Sequence, residues 1–173
     1  MKNLLKVAAF VAALVIPTTY ASAQAVGFAT TSDTASTTAV IVAPLEITKT
    51  QDLNFGEIYA PVTASTAVVT ASGTTAGSTV TFSDTTNITA AEFDIVGIPS
   101  YAVYYTLPAS SYNVEDGLNT MVVSTFTGST SSPITLSGTG EATLAVGASL
   151  AVAAGQAAGT YENADELEVT VEY

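Results

Sequence analysis

The side chains of this chain that could do chemistry are almost all carboxylates. Fifteen Asp and Glu face three Lys, and the sequence contains no His, Cys, Trp or Arg. Without imidazole or thiolate there is no Ser-His-Asp or Cys-His nucleophile and no zinc site of the usual kind. Without guanidinium there is no arginine clamp for a transferring phosphoryl group. A glycosidase needs only two carboxylates flanking the sugar bond. Fifteen acids give close pairs by chance, however, and no tryptophan platform accompanies them, so a solvated acidic surface is the simpler reading.

Calcium takes oxygen ligands alone, and Glu162, Asn163, Asp165, Glu166 and Glu168 supply them ahead of the last apolar run. The spacing lacks the D-x-[DN]-x-[DN]-G loop that would make it specific. Lys49 lies close to Asp52 and Asn54, the components of an internal lysine–carboxamide cross-link. An exposed lysine that discourages edge-to-edge sheet pairing accounts for it more simply. Gly138-Thr139-Gly140 precedes a β-type run with no lysine after it, so turn glycines explain it better than a phosphate loop. No catalytic residue, cofactor or metal is expected.

The elements that would carry these residues are strands. Residues 1–23 come first and stand apart: Lys2 and Lys6, an apolar run from Val7 to Ile16, then Pro17 and the small residues Ala21-Ser22-Ala23. This is the pattern of a secretory signal cleaved between Ala23 and Gln24, and the apolar run is only about half of the ~20 residues that span a bilayer. Cleavage leaves 150 of the 173 residues, with one lysine against fifteen acids and a formal charge of −14. Such a surface repels phosphate backbones and anionic lipid, which disfavours nucleic acid and membrane as partners. The expected location is the periplasm, then the cell surface or the medium. With no cysteine, stability has to come from packing and backbone pairing, within the chain or shared with another.

After the signal, period-two alternation and β-branched runs recur and helical spacing does not. Strands are expected near 38–48, 53–59, 65–71, 78–83, 92–98, 102–107, 120–127, 134–137, 141–152 and 167–173. Between them lie turn residues such as Ser72-Gly73, Ala76-Gly77 and Glu115-Asp116-Gly117. Many short strands with this punctuation predict an all-β, two-sheet sandwich. Residues 24–37 form a small, polar N-terminal arm with one apolar stretch, Ala25-Val26-Gly27-Phe28, ahead of a sandwich domain over residues 38–173. In the last strand, Leu167, Val169, Val171 and Tyr173 fall on one face and Glu166, Glu168, Thr170 and Glu172 on the other.

Two stretches carry a family signature. One runs from Val42-Ala43-Pro44-Leu45-Glu46-Ile47-Thr48-Lys49-Thr50-Gln51-Asp52 into Leu53-Asn54-Phe55-Gly56. The other begins at Leu136-Ser137-Gly138-Thr139-Gly140-Glu141-Ala142, continues through Leu144 to Leu150 and Ala154-Gly155-Gln156-Ala157-Ala158-Gly159-Thr160-Tyr161, and ends in Val169 to Tyr173. Together they resemble the bacterial family known as domain of unknown function 4402, over nearly all of the mature chain. That family is similar in turn to the spore-coat-U-like secreted pilins and, at the N-terminal end, to the alpha-type chaperone–usher pilins.

The resemblance implies an immunoglobulin-like sandwich that lacks one strand and is completed in a fibre by the arm of the next subunit. The arm would be Gln24 to Thr34, with Ala25, Val26, Phe28 and Thr30 as the inserted residues. The acceptor groove would border Leu167, Val169, Val171 and Tyr173, and a homo-oligomer built by strand exchange would use a periplasmic chaperone and an outer-membrane usher. The run from Ala154 to Tyr161 would be a turn and the penultimate strand region. Chaperone–usher pilins of the commonest class carry a disulfide, and this sequence cannot. The alternative is a monomeric secreted binding module, for a glycan or for surface adhesion, with its site in segments containing Tyr101, Tyr104, Tyr105 and Tyr112.

Overall fold

The computed structural model describes residues 31–163 and 167–173. The chain divides into two units, residues 1–39 and residues 40–173. Of the first, residues 31–39 are described, and they are exposed with no secondary structure. Nothing in Thr31 to Ala39 is more apolar than alanine, so ordering this stretch would bury little to offset the lost backbone entropy.

Residues 40–173 contain no helix among those described and fold into eleven strands. They are β1 (Glu46–Gln51), β2 (Glu57–Ile58), β3 (Ser65–Val69), β4 (Phe82–Asp84), β5 (Ala91–Val96), β6 (Ala102–Thr106), β7 (Tyr112–Glu115), β8 (Thr120–Gly128), β9 (Ile134–Thr135), β10 (Glu141–Val152) and β11 (Thr170–Glu172). Every ladder is antiparallel.

The long strand β10 organises the fold. Along one edge it pairs first with β5, over Glu141 to Val146, and then with β3, over Ala148 to Val152. Along the other edge it pairs with β8. The resulting six-stranded sheet has the order β1-β5-β10-β8-β7, with β3 joined to β10. The hand-over from β5 to β3 occurs at Gly147, where a Cβ atom would overlap the Val69 carbonyl and the Thr70 backbone. Only glycine lets the backbones approach this closely.

Leu144, Val146, Ala148, Leu150 and Val152 alternate along β10, and all are buried. The first two join a core with Phe93 and Ile95 of β5, Val103 of β6, and Leu136 and Val169. The last three join a second core with Ala67 of β3 and Val123 of β8. Phe126 and Leu53 pack against both cores. The first core draws on the curled six-stranded sheet and on the three-stranded sheet β11-β6-β9. The second is covered by side chains of the small β2-β4 ladder, including Ile58 and Phe82.

Several expected strands differ in extent. Residues 141–152 form a strand over the whole expected span, and 102–107 and 120–127 do so within one residue. Residues 38–45 are not a strand: β1 begins at Glu46, opposite Val96, the last residue of β5, so the residues before it have no partner strand. The expected strand 53–59 reduces to Glu57–Ile58 with an isolated bridge between Asn54 and Thr89. β7, not anticipated, pairs with β8 through the tight turn at Asp116 to Asn119.

Candidate functional site

Among the described residues β1 and β7 end the six-stranded sheet, and β7 meets Glu162 through a single bridge. A groove of about 930 Å³ takes Lys49 of β1 and Tyr112 and Val114 of β7 into its lining. Its floor takes Val114 of β7, Met121 and Val123 of β8, and Leu150 and Val152 of β10. One wall is the segment from Leu53 to Ala60, the other is Gln156 to Asn163, and Leu167 lies at the foot of the C-terminal strand.

Local chemistry shapes both walls. In the first, the Asn54 side chain accepts the Gly56 N–H at 2.8 Å, and Gly56 takes a left-handed conformation at φ 71°. An asparagine bonding its own backbone two residues on, followed by glycine, turns the chain sharply. In the second wall, the Tyr161 hydroxyl donates to the Ala157 carbonyl at 2.8 Å and accepts from Gln156 at 2.9 Å. Glu162 exchanges two backbone hydrogen bonds with Glu115, and the Asn163 amide donates to the Asn113 carbonyl at 2.8 Å. The wall is thus fastened to β7 with only a single bridge in place of a strand.

The turn below this wall is held by Asp116. Its carboxylate accepts the Asn119 and Leu118 backbone N–H groups at 2.6 and 2.9 Å, together with the Asn119 side chain. These bonds favour the charged form, with the Asn119 amide contributing most, and bring its pKa from 3.8 down to about 2.

The acids of the groove, Asp52, Glu57 and Glu162, are exposed, and no polar or charged residue among those described is buried. Lys49 pairs with Asp52 at the surface, more than half of each side chain being exposed. That is the ordinary ion pair, of little energetic weight. Asp165 and Glu166 lie outside the described residues, and among those described no three acids gather closely enough to hold a metal ion. The site therefore offers a groove of mixed polar and apolar surface with an exposed acidic rim.

The C-terminal residues alternate as expected. Val169 is buried, Leu167 and Val171 pack against the first core, and Tyr173 lies at its edge with 41% of its surface exposed. The Tyr173 ring meets Tyr101 edge-on at 5.4 Å, and its hydroxyl accepts the Ile98 N–H at 2.9 Å. The strand itself spans only Thr170–Glu172, and Leu167 alone of these residues lines the groove. The run from Ala154 to Tyr161 is turn and loop throughout.

The tyrosines are not gathered into one site. Tyr101 and Tyr104 are exposed, Tyr105 packs on the first core with its hydroxyl donating to the Thr130 carbonyl, and Tyr112 stacks on Phe126 at 5.4 Å. The candidate arm residues Ala25, Val26, Phe28 and Thr30, and the cleavage residues Ala21, Ala23 and Gln24, lie outside the described residues.

Of the four tyrosines singled out in the sequence Tyr112 lines the groove, whereas groove residues Phe55, Ile58, Val114 and Met121 were not foreseen. The alternation Tyr112-Asn113-Val114 just before the Glu115-Asp116-Gly117 turn is the signal that could have revealed β7 as half of a hairpin.

No curated protein and no solved structure matches this chain. A family model does match, over residues 45–173, from the residue before β1 to the last residue. The matched span holds all eleven strands and both walls of the groove, and the chain belongs to the family described as domain of unknown function DUF4402.

Proposed function

We propose that this protein is a non-catalytic structural subunit of a bacterial surface fibre, exported through its signal and polymerised by strand exchange. In this reading the N-terminal arm of one copy fills the groove of the next and completes an immunoglobulin-like sandwich. The observation that carries it is the groove: apolar side chains of β7, β8 and β10 line its floor, beside β1 and β7, the terminal strands of the six-stranded sheet. An added extended segment would pair along a terminal strand and cover this floor in one step.

The arm has suitable chemistry. Residues 24–34 contain one acid, Asp33, and no base, so burying this segment costs little charge desolvation. Placing Ala25, Val26 and Phe28 on the floor would contribute on the order of 3 to 8 kcal/mol before the cost of ordering the arm. Cleavage after Ala23 would create a terminal amine that complements the acidic rim of Asp52, Glu57 and Glu162. A periplasmic chaperone and an outer-membrane usher are the partners that this route of assembly calls for.

The test compares residues 24–173 with a chain that starts at Thr37, by light scattering and negative-stain microscopy. Heat-resistant fibres from the first and monomers from the second support strand exchange. Equally stable monomers from both would replace it with a monomeric secreted binding module.

A further inference from the structure

The outer edge of β7 is already in use. β7 ends the six-stranded sheet with β8 on one side, and along an antiparallel strand alternate residues turn their N–H and C=O groups to opposite sides. Asn113 and Glu115 face away from β8, toward the segment Gln156 to Asn163. The Glu115 N–H donates to the Glu162 carbonyl at 3.1 Å, the Glu162 N–H to the Glu115 carbonyl at 3.0 Å, and the Asn163 amide to the Asn113 carbonyl at 2.8 Å. Nearby the segment lies against the β7–β8 turn, so closely that a Cβ on Gly159 would come within 2.8 Å of the Asp116 carboxylate. It runs over β7 and this turn as a strap, tied by one bridge and not by a ladder.

Little holds the strap down. Only Gln156 and Tyr161 in it are half-buried, and the rest is exposed. Gln156 donates to the Tyr161 hydroxyl and that hydroxyl to the Ala157 carbonyl, so these bonds stay intact when the strap lifts as a unit. The one side-chain bond from Gln156 to β8, at the Thr120 carbonyl, is long at 3.4 Å. The bridge also sets Glu115 directly opposite Glu162, and like charges so placed weaken a pairing.

We infer that the strap is an autoinhibitory contact: it occupies the β7 edge in place of a strand and has to lift before a strand of a second copy can pair there. This rests on the fibre reading above and adds to it a step that keeps free subunits apart. A loop laid over a terminal strand protects it from unplanned pairing. An incoming strand would replace the same backbone bonds and bring apolar side chains to the floor at Val114 and Met121. Ala157, Ala158 and Gly159 of the strap bring almost none, so burial favours the exchange.

A disulfide can lock the strap, since the chain has no natural cysteine. Residues that exchange both backbone bonds stand about 5.5 Å apart at Cα, within disulfide range, so Glu115→Cys is combined with Glu162→Cys in the chain from Gln24. The double variant is oxidised, the bond is verified by mass, and light scattering follows assembly with and without reductant. The expected result is monomer while oxidised and fibre growth on reduction. Fibres at the same rate in both states overturn the inhibitory role and leave strand exchange, along another edge, intact. Hydrogen exchange on the natural monomer reads the strap without fibres and without a variant. The Glu115 and Glu162 amides should exchange at least about tenfold faster than those of Val114 and Met121, which pair within the β7–β8 ladder. Equal protection of the two sets overturns a strap that lifts. Failure of the natural chain to form fibres overturns the fibre reading, and this inference with it.

Discussion

The Tyr173 hydroxyl lies 2.6 Å from where a Cβ atom on Gly97 would be, too close for the two to coexist, while it accepts the N–H of Ile98. The last residue of the chain thus closes over the end of β5, and a glycine is what makes room for it. Tyr173→Phe should cost about 1 kcal/mol through the lost hydrogen bond. Gly97→Ala should cost more, because Leu45 and Leu136 also crowd the added methyl. The double variant should be less destabilised than the sum of the two, since removing the hydroxyl relieves part of the overlap. Urea midpoints of the four proteins measure this, and strict additivity would mean that the two residues do not touch in solution.

Gly147 should tolerate no side chain. Gly147→Val forces the Val69 carbonyl away from β10, and overpacking of this kind typically costs about 1–3 kcal/mol. Hydrogen exchange should show the loss concentrated in β3, while the amides of β5, paired with the earlier half of β10, keep their protection.

Leu144 is fully buried in the first core. Leu144→Ala should destabilise by about 2–5 kcal/mol through lost transfer energy and the residual cavity. Chemical denaturation reads this, and a loss below about 1 kcal/mol would show that this core is loosely packed.

Acid should weaken the Asp116 turn. Its folded-state pKa is depressed to about 2 from 3.8, so the folded state favours the carboxylate. The resulting stability is fully present above the ordinary carboxylate value and is lost as pH falls through it toward 2. Asp84, lowered by the Thr86 hydroxyl and amide, shifts in the same sense. The stability difference between the natural chain and Asp116→Ala should be constant near neutrality and shrink below about pH 4. A difference that grew in acid would contradict the hydrogen-bonding account.

Val114 belongs to the groove floor and is only half-buried. Val114→Asp should abolish self-assembly by placing a charge where the arm's apolar groups would lie, while circular dichroism shows the fold retained. Mixed with the natural chain it should still donate its arm and cap growing fibres, so they shorten as its fraction rises. Undiminished polymerisation by the variant alone would remove this groove as the acceptor.

Alternation in the sequence was sufficient for β10. Leu144, Val146, Ala148, Leu150 and Val152 place a continuous apolar face on one side, with only a glycine among the residues between them that breaks strands, and a one-residue slip would expose the whole face. The same reasoning gives the inward row Leu167, Val169 and Val171. It also gives an all-β fold without helices, and it excludes imidazole and thiol chemistry outright because those side chains are missing. What the sequence could not decide is which edges find partners. Ala39-Val40-Ile41-Val42 is as β-prone as any segment of the chain, yet it pairs with nothing among the described residues, because β5 ends at Val96 opposite Glu46. Strand propensity reports how well a residue suits a pleated surface, and only long-range pairing supplies that surface. The groove has the same origin: its floor and walls come from segments some hundred residues apart, and the tertiary structure alone brings them together.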